Sequence, residues 1–321
     1  MWYRGAFLSY YLLKRFATLI PVMIGVSIIT FLLVELAPGD PAEIILAKRD
    51  IELTPQALEE ARRLMGLDGP LYERYLHWLR RLLSGDLGVS YSSGEPVARE
   101  ILSRLPATLE LAAGGLLAML LIAFPLGIAA ALYNRTFIDH FSRFTALIGA
   151  SVPSFYLGLL LISMLAVHLD WLPVMGRGTI RHLLLPSLTL GFGLAATYAR
   201  LLRAGLLEVL QLEYVRAARA RGVRETLVIG RHALKNALIP LVTVFGLSLG
   251  NLLGGTMVVE QVFAWPGVGR LAVQAIFNRD IPILQGYALL MAVIYVLVNL
   301  AVDLSYRYLD PRIRLGGKEV G

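Results

Sequence analysis

Basic residues crowd the stretch from Glu213 to Pro240, EYVRAARARGVRETLVIGRHALKNALIP. With Arg200 and Arg203 at its entrance the segment carries eight of the chain's thirty Lys and Arg. The pattern suits docking of a soluble partner better than bond-breaking. The simpler reading is an ordinary basic loop beside a membrane. Other chemistry is thinly represented. There is no Cys, which excludes disulfides, thiol catalysis and Cys-liganded metal. No H-E-x-x-H occurs and the five His are scattered, so no metal or protease site is predicted. Gly316-Gly317-Lys318 lacks the spacing and the following Ser or Thr of a phosphate loop, so any ATP chemistry must be borrowed from a partner. Asp303, four residues after Asn299, could be the coupling carboxylate of an ion-driven carrier or a structural partner for an Arg at the membrane boundary. An intramembrane enzyme would have to use His168, His182 or Asp303, and these show no paired nucleophile and base.

The elements that must position these residues are membrane helices. The chain is 57% hydrophobic with mean hydropathy +0.66, above the roughly 45–50% apolar share of soluble domains. Crossing a bilayer takes about 20 apolar residues. Six runs qualify, near 16–36, 108–132, 144–167, 183–202, 238–259 and 284–304. They lack the alternation of barrel strands, so each is predicted helical. The first run is longer than a signal-peptide core and no small-x-small site follows it, so it is expected to stay as a helix. With the N-terminus inside, seventeen of the thirty Lys and Arg fall on inner segments and four on short outer loops. This bias places both termini in the cytoplasm and assigns the net charge of +7 to topology rather than to nucleic acid.

The expected organisation is an N-terminus and first helix over 1–37, an outer helical lobe over 38–105, a five-helix core over 106–310 and a tail over 311–321. In the lobe, Thr54-Pro55 reads as an N-cap with Pro at the first helical position, and Gly66 as the stop. Leu58, Ala61 and Met65 would share a face. A second helix runs from Pro70 to Gly85 with an apolar face of Leu71, Tyr72, Tyr75, Leu76, Leu79, Leu82 and Leu83. A third, near Val97–Leu105, leads into the second span. The lobe is read as a small domain at the outer mouth or as a packing cap without a ligand. In the 203–237 loop, Tyr214, Ala217, Ala218 and Arg221 share one helical face, and the paired alanines would admit a partner's backbone. Gly222 stops that helix in a left-handed conformation, and Thr226 is expected to cap the next.

Glu213-Tyr214-Val215, Ala217-Ala218, Gly222 and the run His232 to Pro240, HALKNALIP, resemble the cytoplasmic "EAA" loop of ABC importer permeases, especially the B-type subunit of dipeptide and oligopeptide importers. The general pattern has Glu where this chain has Arg216, and Ile-x-Leu-Pro where it has His232-Ala233-Leu234-Lys235. Both departures resemble the peptide branch. Further matches follow in order: Ala37-Pro38-Gly39-Asp40-Pro41, Gly85-Asp86-Leu87-Gly88, Arg104 to Glu110, Val259-Glu260, Phe263-x-Trp265-Pro266-Gly267-Val268-Gly269 and Asp310-Pro311-Arg312. The resemblance implies an all-α membrane protein of six spans with the type I importer (MetI-like) permease fold. It implies a second permease, two cytoplasmic ATPases and an extracytoplasmic solute-binding protein as partners, in an inner membrane whose lipid surrounds the spans. ATP and Mg would act in the ATPases, with no cofactor held by this chain. The ATPase-coupling residues would be Glu213, Tyr214, Ala217, Ala218, Arg221, Gly222, His232 and Asn236. The cargo would be a di- or oligopeptide, with nickel, glutathione or oligosaccharide as alternatives within the class.

A translocation path would draw on Ser151, Ser154 and Tyr156 around a kink at Pro153, and on Asn251 and Thr256 in a span with Gly246, Gly250 and Gly254 at four-residue spacing. Close helix packing is the competing role for that small-residue spacing. Such a path is polar, uncharged and permissive. Phe263, Trp265 and Pro266 in the outer loop would face the binding protein, or the aromatics would anchor at the interface.

Overall fold

The computed structural model describes residues 20–33, 35–36, 40–48 and 51–309. Side chains at Leu64, at several positions from 239 to 255 including Asn251, and at 302–309 lie outside that description. The described residues are helical apart from turns and loops, with one isolated bridge between Val89 and Pro96. By length and composition three described helices can cross a membrane: α5 (Val97–Leu132), α8 (Ile180–Val209) and α13 (Ile281–Leu309, apolar over Ile281–Ala301). A bent pair would be a fourth. The remaining predicted runs coincide with α1 (Ile20–Leu33) and with α11 (Leu234–Val262), a 29-residue helix. Asp303 lies among the residues whose side chains are not described.

One unit comprises residues 1–106 and 267–297. Its small helices are α2 (Pro41–Lys48), α3 (Pro55–Leu64) and α4 (Leu71–Leu83). Asp40 caps α2 by accepting from Ala42 N at 2.9 Å, and its other oxygen accepts from Arg62 Nε of α3 at 2.6 Å. Thr54 caps α3 through Ala57 N at 3.2 Å, with Pro at the first turn. Gly66 and Gly85 stop α3 and α4 at φ +65° and +83°, a region that costs a side-chain-bearing residue strain. The expected face of α4 is only partly inward. Tyr75 and Trp78 pack on Phe31 of α1, with ring centroids 5.4 and 5.9 Å away, while Leu71, Tyr72, Leu76 and Leu83 are exposed. The core of this unit joins the start of α5 to α12 (Val268–Phe277) and α13, through Val97, Ile101, Val268, Leu271, Ala275 and Ile283. A Cβ on Gly286 would stand 2.6 Å from Val97 Cγ1, so glycine permits this approach. The predicted third lobe helix is not separate. Helix α5 runs unbroken through Pro106 for 36 residues, where local propensity predicts a stop.

The other unit comprises 107–266 and 298–321 and is organised around α8. Its neighbours are α6 (Phe137–Ser151), α7 (Ser154–Leu161, continued by a π-helix over Ile162–His168) and α11. Close approach between α5 and α8 depends on Gly191, whose Cβ would meet Gly115 O at 2.6 Å. The run 144–167, expected as one span kinked at Pro153, is two helices meeting at 108°. Pro153 has no N–H to continue the ladder and pushes Val152 out of the helical region, to φ −82° and ψ 122°. The residues are apolar enough for a span, and the proline turns the chain.

Candidate coupling loop and permease core

The loop after α8 is ordered from its residues upward. Helix α9 (Glu213–Ala220) ends at Gly222, φ +74°. Gly222 N donates to Arg219 O at 2.9 Å and Val223 N to Ala218 O at 3.2 Å. These are the paired bonds of a Schellman stop, which satisfy carbonyls that the helix end would orphan. Arg219 also forks onto Glu225, with Nε to Oε2 at 3.1 Å. The next helix starts at Glu225 with Arg224 at its N-cap, so Thr226 lies inside it and does not cap it; the chain returns to helix two residues sooner than expected. After α10 (Glu225–Leu227) a π-helix spans Val228–Ala233 and leads into α11.

One face of α9 is sunk into its own chain. Val215 and Ala218 are buried with Leu202 and Leu206 of α8, Val228 of the π-helix and Ala237 of α11. A second link is polar: Tyr214 Oη donates to His232 O at 3.2 Å and accepts from Asn236 Nδ2 at 2.6 Å. The face shared by Tyr214, Ala217, Ala218 and Arg221 is therefore split. Ala218 faces the interior, where neighbouring side chains of this chain already cover it. Glu213, Ala217, Arg221 and Gly222 are exposed, Tyr214 is exposed at its rim, and His232 is half-buried.

Arg203 is not a free docking charge. Its Nε and Nη2 grip both oxygens of Asp139 at 2.6 and 2.8 Å, and Nη2 also reaches Asn134 Oδ1 at 3.0 Å. Asp139 is buried and accepts from Arg135 N at 3.0 Å. A buried carboxylate held by a bidentate guanidinium and a backbone N–H is fully compensated, and it fixes the 133–139 turn to α8. Sequence reading passed over Asp139. The signal was a lone acid in a turn otherwise carrying Arg135, His140 and Arg143.

The residues expected along a path differ in exposure. Ser154 lines a cavity of about 190 Å³ with Thr189 of α8 and apolar neighbours, while Ser151 and Tyr156 are exposed and Thr256 is buried. The Asn251 side chain lies outside the described residues. The outer turn also differs from expectation. Phe263 and Trp265 are fully buried, and only Pro266 is exposed. Trp265 Nε1 donates to Ala107 O at 2.8 Å, Gly176 N donates to Phe263 O at 2.9 Å, and Arg177 lies 6.0 Å over the indole. The aromatics are turned inward because the α5 backbone offers the indole N–H an acceptor in an apolar setting. Neither reading of these two aromatics as surface contacts fits this placement.

Two family models match the sequence. Residues 123–315 match the binding-protein-dependent transport system inner membrane component, and 8–112 match the N-terminal part of such components. The chain belongs to this family of permeases. It is 44% identical over 304 residues to the glutathione transport system permease protein GsiC of Escherichia coli K12, covering 95% of this chain and 98% of that one. The GsiC of Shigella flexneri serotype 5b is 43% identical over the same coverage. A chain from the inward-facing MetNI methionine ABC transporter superposes with a TM-score of 0.55 at 20% identity, covering 65% of this chain and 95% of that chain. This shared architecture shows the MetI-like permease fold.

The permease is thus an inner-membrane ABC importer subunit and not itself an enzyme. This family membership implies a partner permease, an ATPase and a substrate-binding protein. The Val259-Glu260 motif also holds a buried acid whose burial the motif alone does not reveal. Glu260, at the end of α11, is fully buried and accepts from Thr108 Oγ1 at 2.7 Å.

Proposed function

We propose that this permease forms half of the translocation path for short peptides, with glutathione, a tripeptide, as the first cargo to test. Support comes from the 44% identity to proteins named glutathione permeases and from the peptide-branch form of the 213–240 loop. In this reading both termini are cytoplasmic and residues 38–105 lie outside. A loaded binding protein docks outside, and ATP binding closes two ATPases inside. The 203–237 loop carries that motion to the spans, with Glu213, Tyr214, Ala217, Arg221 and Gly222 at the contact, His232 and Asn236 behind it, and Ala218 as its internal anchor. Ser151, Ser154, Tyr156, Asn251 and Thr256 are proposed for the path, and Pro266 for the outer surface.

The observation carrying this reading is the double attachment of α9. It is packed through Val215 and Ala218 and hydrogen-bonded through Tyr214 to α11. A push on its exposed face would therefore reach α8 and α11 without being absorbed by a slack loop. Reconstitution with partner permease, ATPases and binding protein tests it. ATP-dependent, binding-protein-dependent uptake of labelled glutathione or tri-alanine is expected. Uptake by the single subunit driven by a proton gradient alone would overturn the reading.

A further inference from the structure

The unit formed by residues 1–106 and 267–297 contains a cavity of about 500 Å³, within the range of roughly 300–1,000 Å³ typical of small-molecule sites. Its lining is chemically specific. Helix α4 contributes Arg74, His77, Trp78 and Arg81, spaced i, i+3, i+4 and i+7 and therefore on one face. Both arginines are fixed by carboxylates that also line the cavity. Arg74 Nη2 meets Glu35 Oε1 at 2.6 Å, and Arg81 Nε donates to Asp86 Oδ2 at 2.8 Å. Gly88 turns the chain beside the second pair with a left-handed backbone, φ +83°. Trp78, backed by Phe31, supplies apolar surface.

The 90–94 turn completes the lining and is held in place from behind. Asp280, buried at 2% exposure, accepts from Tyr91 N at 3.1 Å, Ser92 N at 3.0 Å and Ser90 Oγ at 2.5 Å. Ser90 Oγ in turn accepts from Ser93 N at 3.1 Å. A lining fixed before a ligand arrives reduces the ordering cost of binding.

We propose that this cavity is a peptide-binding subsite on the permease itself, distinct from the path through the spans. The inference rests on the peptide-cargo reading above. Arg74 and Arg81 each have five N–H donors, so N–H groups remain for a terminal carboxylate after their ion pairs are made. Glu35 and Asp86 each retain acceptor sites for a terminal ammonium. Trp78 would contact an apolar side chain. The pairing of two guanidiniums with two carboxylates suits a zwitterion and disfavours a simple anion or a metal ion. The 190 Å³ cavity beside Ser154 has no charged lining residue, so the charges matching a peptide's ends are concentrated in the larger one.

The test uses the assembled transporter in lipid nanodiscs without the binding protein, with labelled tri-alanine as probe. Saturable binding is expected, weakened about tenfold or more by His77→Trp, which fills the cavity from an exposed helix position, and by Arg81→Gln. Basal ATPase activity and binding-protein docking should remain as in the wild type. No saturable binding, or binding unchanged in both variants, overturns the inference. So does loss of binding-protein docking with peptide binding intact, which would make the cavity a protein contact. Wild-type tri-alanine uptake with the binding protein, measured in parallel, separates the two readings: absent uptake defeats the cargo proposal, and normal uptake with unaltered probe binding defeats the subsite alone.

Discussion

At the scale of single residues, adjacent alanines carry different burdens. Ala218 is packed against α8 and α11, whereas Ala217 is exposed. A Trp at 218 overpacks a filled site, and such changes cost about 1–3 kcal/mol or more. Ala218→Trp is expected to lower the permease's own melting temperature. Ala217→Trp should leave it unchanged and abolish ATPase co-purification. Equal thermal loss in both variants would show that the exposed face has another internal role. Trp265→Phe should cost about 2–4 kcal/mol, because it removes the Nε1 bond to Ala107 O and leaves part of the buried indole's volume empty. A chemical-unfolding series on the two proteins reads that difference. Asp86 gives a pH signature. The hydrogen bond from Arg81, then the Gly88 N–H, holds its carboxyl below the ordinary carboxylate value. The folded state thus favours the charged form. Its contribution is fully present above the ordinary value and is lost as pH falls through the lower, folded value. Acid unfolding below about pH 4 should therefore be less steep in Asp86→Asn, as followed by intrinsic tryptophan fluorescence of both proteins.

At the scale of elements, the loop around α9, proposed to couple to the ATPase, is attached at two points like a bracket. Gly222→Ala would keep the sequence pattern nearly intact and still oppose the turn. Nothing crowds a Cβ there, so the cost is the left-handed backbone itself, about 1–2 kcal/mol. Tyr214→Phe should act differently. It removes the Asn236 and His232 bonds without disturbing the buried Val215 and Ala218 side of α9. ATP hydrolysis is expected to continue while uptake per ATP falls severalfold, and stoichiometry measured in proteoliposomes decides it. An unchanged ratio would mean that the apolar side alone transmits the motion. The π-helix between α10 and α11 sits at this joint, where wider turns often mark functional positions.

At the scale of the whole molecule, charge placement predicts which side each segment meets. A Cys at the exposed Ser92 is the sole thiol in the protein, so labelling is unambiguous. Impermeant reagent should reach it from outside in intact cells. Labelling only after access from the cytoplasmic side would reverse the orientation proposed here. The permissive-conduit reading has its own check. Asn251→Leu should lower the maximal uptake rate for all peptides alike, with the binding protein held constant. A reordered peptide preference would mean that the membrane core selects cargo.

The sequence by itself determined the membrane class, the absence of thiol chemistry and the local punctuation of the chain. Thr54 and Pro55 start α3, and Gly66, Gly85 and Gly222 stop their helices, because caps and left-handed turns depend on a few neighbouring atoms. The peptide-branch motifs were likewise legible, since order and spacing survive in one dimension. Tertiary structure decided which side of each helix is covered. In a membrane protein lipid and core both demand apolar residues, so periodicity identifies a face without naming its neighbour. That is why Ala218 and Trp265 turned inward, and why the Leu71 side of α4 turned out. The bidentate grip of Arg203 on Asp139 joins residues 64 apart in sequence, and the Thr108–Glu260 bond joins residues 152 apart. Such contacts form only when distant segments are brought together, and local propensity carries no record of them.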